Sequence, residues 1–227
     1  MKKLLLLLGI VLSAQLRADM RPVRVEFQLK FNNETLQLGK KYYSNTLKDS
    51  VSFETLKFYI SRVKVKGELH SGAPFSPEAF LIDAENPKSQ ILQNSFYLDS
   101  VLGISFLLGV DSMANVSGAM GGDLDPMFGM YWAWQSGYIN FKLEGNTNAC
   151  PSPKHQFQYH IGGYLPPYAS SKALSFEVEN TGNIVIEFDV EKLISQFNIQ
   201  EQYEVMGPGN AAMDISKKIA SVFKIKE

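Results

Sequence analysis

Val23, Val25, Phe27, Leu29 and Phe31 alternate with Arg24, Glu26, Gln28 and Lys30, the period-two signature of a strand with one buried face. Leu56, Phe58 and Ile60 repeat it, and Val63 and Val65 continue it against Arg62, Lys64 and Lys66. Ile139, Phe141 and Leu143 alternate with Asn140, Lys142 and Glu144 in the same way. Further strand-like runs fall at residues 80–83, 93–98, 104–108, 130–134, 156–161, 173–178 and 184–190, separated by turn residues such as Thr181-Gly182-Asn183. Helical signal is thin. Residues 191–197 suit a short helix, and Asn210 is placed to cap another running to Val222, with Ala211, Ala212, Ile215, Ile219 and Phe223 on one face. The pattern predicts an all-β fold: an antiparallel β-sandwich with a short C-terminal helix. No repeat, low-complexity tract or linker divides residues 19–227, which are therefore expected to form a single domain.

The first residues read differently. A basic start, Met1-Lys2-Lys3, precedes an apolar run from Leu4 to Leu12 and a small, polar stretch ending at Ala18. That is a secretory signal peptide over residues 1–18, too short in its apolar part to span a bilayer. The expected destination is the periplasm or cell envelope. Cleavage would leave 209 residues with a formal charge of −4. A mildly acidic chain without a basic run is a poor partner for nucleic acid, whose binding rests on phosphate neutralisation. Cys150 is the single cysteine, so no intrachain disulfide supports the fold.

Common catalytic signatures are missing: no nucleophile elbow, no His-Glu-x-x-His, no phosphate loop and no dinucleotide glycine fingerprint. The unusual stretch is residues 109–163. Trp132 and Trp134, the two tryptophans of the chain, stand two residues apart, which on a strand puts them on one face. If that strand continued without a bulge, Tyr138, Asn140 and Lys142 would share the face. Composition alone favours sheet packing for these aromatics and a structural role for His160 beside Gly162-Gly163. Asp111, Asp123 and Asp125 suit turns; a calcium site is the other reading, but their spacing matches no known loop.

The order of motifs in this stretch is Gly109-Val110-Asp111-Ser112, Gly122-Asp123-Leu124-Asp125-Pro126, then Gly129-Met130-Tyr131-Trp132-Ala133-Trp134-Gln135-Ser136-Gly137-Tyr138. Lys142-Leu143-Glu144-Gly145 and His160-Ile161-Gly162-Gly163 close it. This order resembles the MbnP-like family of exported copper-binding proteins associated with methanobactin. Phe58-Tyr59-Ile60-Ser61, Phe80-Leu81-Ile82-Asp83 and Met206-Gly207-Pro208-Gly209 extend the likeness over most of the chain. The resemblance implies a β-sandwich binding one copper ion, with one tryptophan oxidised to kynurenine by a di-haem partner resembling cytochrome c peroxidase. Trp132 and Trp134 are the candidates for that oxidation. His160 carries over as the imidazole metal ligand, with Gln135, Tyr138 and Asp111 as groups that would orient the ligands. The chemistry is coherent. An indole N–H only donates, whereas the ring-opened product offers an aromatic amine that can join imidazole in a site suited to Cu(II). His155 and His70 read as surface histidines. Cys150 reads as an incidental loop thiol, although a thiolate can bind Cu(I). A related group of these proteins carries four cysteines, which this chain lacks.

Two readings compete with a copper-binding protein. Exposed paired aromatics can form a flat platform for a carbohydrate or another non-metal ligand, with polar contacts from Asp123 and Asp125. An envelope protein could instead use the aromatic sheet as an interface. An enzyme is not expected, since no spacing announces a nucleophile and its base.

Overall fold

The computed structural model describes residues 21–67, 79–98, 101–135, 137–179 and 183–226. Residues 1–18, the expected signal peptide, and His70 lie outside them. Among the described residues, fourteen strands run in chain order: β1 (Arg21–Phe31), β2 (Glu34–Thr35), β3 (Lys41–Ser44), β4 (Asp49–Lys66), β5 (Ala79–Asp83), β6 (Ile91–Leu98), β7 (Gly103–Leu108), β8 (Tyr131–Trp132), β9 (Gly137–Thr147), β10 (Gln156–Gly162), β11 (Lys172–Glu177), β12 (Asn183–Asp189), β13 (Glu204–Val205) and β14 (Phe223–Ile225). Three helices accompany them: α1 (Ser112–Val116), α2 (Val190–Ile194) and α3 (Asn210–Ser221). None of the helices described is long and apolar enough to cross a membrane.

The alternating faces read from the sequence do become buried. Val23, Val25, Phe27, Leu29 and Phe31 of β1 enter the main core with Leu56, Phe58 and Ile60 of β4, and Phe141 and Leu143 of β9. One sheet is ordered β14-β12-β1-β2, with β6 also on β1; the other is ordered β11-β7-β4-β9-β10-β13, with β3 and β5 on β4. The two face each other through aromatic contacts. Phe58 of β4 meets Phe27 of β1 at 6.2 Å between ring centroids and Phe188 of β12 at 5.6 Å.

The sheets are mixed, which corrects the antiparallel expectation. β1 lies parallel to β12, from Arg24 against Asn183 to Lys30 against Asp189, and β10 lies parallel to β13. Alternation records which face is buried and is blind to strand direction. A parallel neighbour needs a long connection, and β1 and β12 lie at opposite ends of the chain. The terminal pieces also differ from expectation. Gly209, rather than Asn210, precedes α3 as its cap and makes no side-chain bond there; Asn210 is the first helical residue. The helix stops at Ser221, so Phe223 lies on β14, which pairs with β12. Asp189 caps α2, accepting from the Glu191 amide at 3.1 Å.

A second, smaller apolar cluster lies apart from the main core. Tyr59 of β4, Ala79 and Leu81 of β5 and Tyr138 and Ile139 of β9 bury Val110, Leu124, Met130 and Trp132 from the connecting segment 109–132. On β4 and β9, Tyr59, Lys142 and Glu144 alternate with residues of the main core. This places the segment on the outer face of the larger sheet, where the candidate site residues gather.

Candidate functional site

The tryptophans do not share a strand. β8 ends at Trp132, which pairs with Gly137, and the chain turns between them. The strand expected over residues 130–134 is thus two residues long, and the same-face argument for Trp134 fails. Trp132 is 6% exposed and Trp134 70% exposed, yet the rings still meet at 5.7 Å with 45° between their planes. A buried ring tilted against an exposed one is no flat platform, which removes the basis of the carbohydrate reading.

Trp132 lies on the backbone of β10. A Cβ at Gly162 would stand 2.5 Å from the indole Cζ3 and 2.7 Å from the Tyr138 carbonyl, so only glycine admits the ring there. His160 precedes Gly162 by two residues on the same strand. Their Cα atoms are therefore about 7 Å apart, with side chains directed to one face. That face opposes Phe157, Tyr159 and Ile161, which enter the main core.

His160 is buried, and its Nε2 lies 2.6 Å from Glu144 Oε1. Glu144 is also held by the Thr55 hydroxyl, which donates to Oε2 at 2.8 Å, while Lys142 Nζ stands 3.5 Å from Oε1. Burial pushes the imidazole below its ordinary value, with Lys142 adding to the effect against the pull of Glu144. Burial acts to raise the Glu144 carboxyl, but the hydrogen bonds from His160 and Thr55, with the Lys142 charge, hold it below the usual carboxylate range. The two directions agree on one state: a neutral imidazole donating Nε2–H to an ionised carboxylate. The lone pair then resides on Nδ1.

The pairing predicts an acid sensitivity. The unfolded chain protonates His160 near 6.5, whereas the folded chain resists until lower pH. The unfolded state thus binds more protons in that window, so stability is full above it and falls as pH drops through it. Urea midpoints should decline from about pH 7.5 to about pH 5.5, and His160→Asn should flatten the decline. An unchanged slope in the variant would place the proton elsewhere.

Other residues expected at the site have different duties. Asp111 caps α1, its carboxylate accepting from the Met113 amide at 2.7 Å, and it pairs with Arg62. Tyr138 is buried, its hydroxyl accepting from the Met120 amide at 3.0 Å and facing the Leu124 carbonyl at 3.0 Å. Both therefore pin segment 109–132 rather than orient His160. Gln135 is exposed and borders a cavity beside Trp132. Asn140 bulges out of the β9 register. Its side chain accepts from the Val110 amide and donates to the Ser170 hydroxyl, both at 2.9 Å.

Asp125 caps a turn through the Met127 amide, the turn-forming reading, whereas Asp123 accepts from the Leu81 amide and ties its segment to β5 instead. His155 is exposed at the β9–β10 connection, with Nδ1 3.0 Å from the Cys150 carbonyl. Cys150 lies in the same connection, as a loop thiol that is fully buried, 3.0 Å from the Gln156 carbonyl. Glu144, the partner of His160, belongs to no recognisable ligand motif, although its alternation with Leu143 puts it on the outer face.

Among the described residues, no group of three or more His, Cys, Asp or Glu side chains is arranged to hold a metal ion. His160 and Glu144 together fit the imidazole–carboxylate part of a metal site, in which a ligating histidine donates its other ring N–H to a carboxylate.

A family model described as MbnP matches residues 20–210. Among solved structures, the fold is similar to that of MbnP from Methylosinus trichosporium, with 16% identity and a TM-score of 0.62 over 85% of this chain and 82% of that one. The sequence matches none of the curated proteins with which it was compared.

Proposed function

The chain belongs to the MbnP family, and from that premise we propose that it is an exported copper-binding protein acting in copper handling, a binding protein rather than an enzyme. The observation that carries this reading is the His160–Glu144 pair beside Trp132. The carboxylate holds the imidazole in one tautomer, leaving Nδ1 as the nitrogen able to bind metal. An imidazole nitrogen suits Cu(II).

One conventional donor is too few for a closed site, and oxidation of a tryptophan by a di-haem peroxidase-like partner would supply another as an aromatic amine. Support for Trp132 over Trp134 comes from its place: it is buried over Gly162, two residues along β10 from His160, whereas Trp134 sits on the turn near Gly207. The bound ion would supply a Lewis-acidic or redox centre. The chain's own contribution is to fix the imidazole, exclude water from it and hold the indole against the sheet.

Cu(II) titration and tryptophan peptide mass mapping on protein from its native host test this reading. Trp132 should carry the kynurenine mass. His160→Ala should weaken copper binding by about 100-fold or more and Glu144→Gln by about 10–100-fold, the range expected when the group supporting a metal-bound histidine is lost. Equal binding by His160→Ala and the parent would remove His160 from the site, and two unmodified tryptophans would remove the maturation step.

A further inference from the structure

The cavity on the other side of Trp132 has a chemistry of its own. It encloses about 230 Å³ between the β8–β9 turn, the loop that follows β10 and Pro208 ahead of α3. Among the described residues its walls are Trp132, Tyr164, Leu165, Pro166, Tyr168 and Pro208, with the Gln135 amide as the polar side chain apart from the tyrosine hydroxyls. No charged and no metal-ligating side chain among the described residues lines it, so it is separate in character from the His160–Glu144 face.

Backbone features hold the cavity open. A Cβ at Gly137 would stand 3.3 Å from the Tyr164 ring. At Gly163, where φ is +111°, a Cβ would stand 2.4 Å from the Tyr168 carbonyl and 3.0 Å from Pro208 Cβ. The loop from Gly163 to Ser170 is closed on itself. The Ser170 amide donates to the Gly163 carbonyl at 3.0 Å, and the Tyr168 amide donates to the Leu165 carbonyl at 2.9 Å. The Ser170 hydroxyl is fastened in turn by Asn140, so the loop is tied to β9. A preformed cavity spares a ligand the cost of ordering its site.

We propose that this cavity is a binding site for a small uncharged aromatic molecule. Size sets the upper limit: an apolar cavity of about 150 Å³ takes benzene, so this one takes a substituted single ring or a fused bicycle. Lining sets the class. Flat aromatic and proline surfaces favour an offset-stacked ring over a branched aliphatic chain. Because nothing in the wall compensates a charge, an ionised ligand would lose its hydration without return. Gln135 can both donate to and accept from one polar substituent. Leu165 and Tyr168 are 61% and 40% exposed, leaving apolar surface for the ligand to cover.

The test uses the mature chain with metal removed by chelator, so that its outcome is independent of copper binding. Indole and 4-cresol serve as neutral probes, benzene as the reference ring without a polar substituent and benzoate as the charged probe, read by saturation-transfer NMR and calorimetry. Indole and 4-cresol should bind, benzoate should bind at least about tenfold more weakly, and Tyr168→Ala should weaken indole by about tenfold, the value of a stacked ring. Tyr168 is on the surface, and a thermal melt matching the parent would confirm that the variant is folded. Gln135→Ala, also at an exposed position, should weaken 4-cresol more than benzene. No transfer to either neutral probe, or parental indole affinity in Tyr168→Ala, would overturn the proposal, as would equal binding of benzoate.

Discussion

Replacing Phe58 with alanine is expected to cost about 3–5 kcal/mol of folding stability, the range for emptying an aromatic position in a core. Phe58 is fully buried and is the point where the two sheets meet. Its ring lies 6.2 Å from Phe27 of β1, 5.6 Å from Phe188 of β12 and 5.6 Å from Phe223 of β14, all in the opposite sheet, and 6.1 Å from Phe141 of its own. Collapse around the gap is hindered because the surrounding rings are held by strand pairing: Phe58 faces Phe141 across β4 and β9, and Phe188 faces Phe223 across β12 and β14. The loss would take a large share of a typical stability of about 5–15 kcal/mol. Urea unfolding monitored by far-UV circular dichroism measures it. Tyr43→Ala, at a position 61% exposed, is the control and should stay within about 0.5 kcal/mol of the parent. A loss below about 1.5 kcal/mol for Phe58→Ala would mean that the sheets are not joined through this ring. A double-mutant cycle with Phe188→Ala should show coupling, since both substitutions enlarge one space.

Phe58 also marks what the sequence made legible. Its alternation with Lys57 and Tyr59 identified a buried strand face, and the same logic located β1, β9, β10 and β12 to within a few residues. Period two is a local property, written by one strand against one core. The parallel pairing of β1 with β12 depends on residues more than 150 positions apart and leaves no local trace. Short elements escaped for a related reason: β2 and β13 are two residues each, too short to show a period.

The site divides along the same line. His160 and the tryptophans were found through motif order, but their roles were decided by neighbours that the motif does not name. Glu144 reaches His160 only because β9 and β10 pair with Gln158 opposite Glu144 and His160 opposite Lys142. Trp134 lost its place beside Trp132 on a strand because a hairpin turn intervenes, something four residues without glycine or proline did not announce. Asp111 and Tyr138 look like site residues in the motif because they build the segment that carries Trp132. Proximity in sequence to a functional residue is equally well explained by holding that residue in position.

Gly162 tests that positioning most directly. Gly162→Val should destabilise the chain by about 3 kcal/mol, the upper part of the range for overpacking, and should move Trp132 off the sheet. The reason is that neither obstruction can yield cheaply. A Cβ would stand 2.5 Å and 2.8 Å from two atoms of a ring enclosed in the smaller cluster, and 2.7 Å from the backbone carbonyl of Tyr138. Tyr138 is itself fixed, with its amide donating to Asn115 Oδ1 at 2.9 Å. The indole is therefore the part that shifts, and a red-shifted, more readily quenched tryptophan emission should accompany the loss of stability. Measured in a Trp134→Phe background on protein expressed without the oxidising partner, where the indole is intact, the emission reports Trp132 alone. Because Gly162 and His160 sit on one strand face, the same substitution should reduce copper binding while the His160–Glu144 hydrogen bond stays intact, visible as a retained acid dependence of stability. Loss of that dependence together with the emission shift would show general disruption of β10. Parental emission and stability would place the Trp132 ring away from Gly162 and remove the link between the indole and the His160 face.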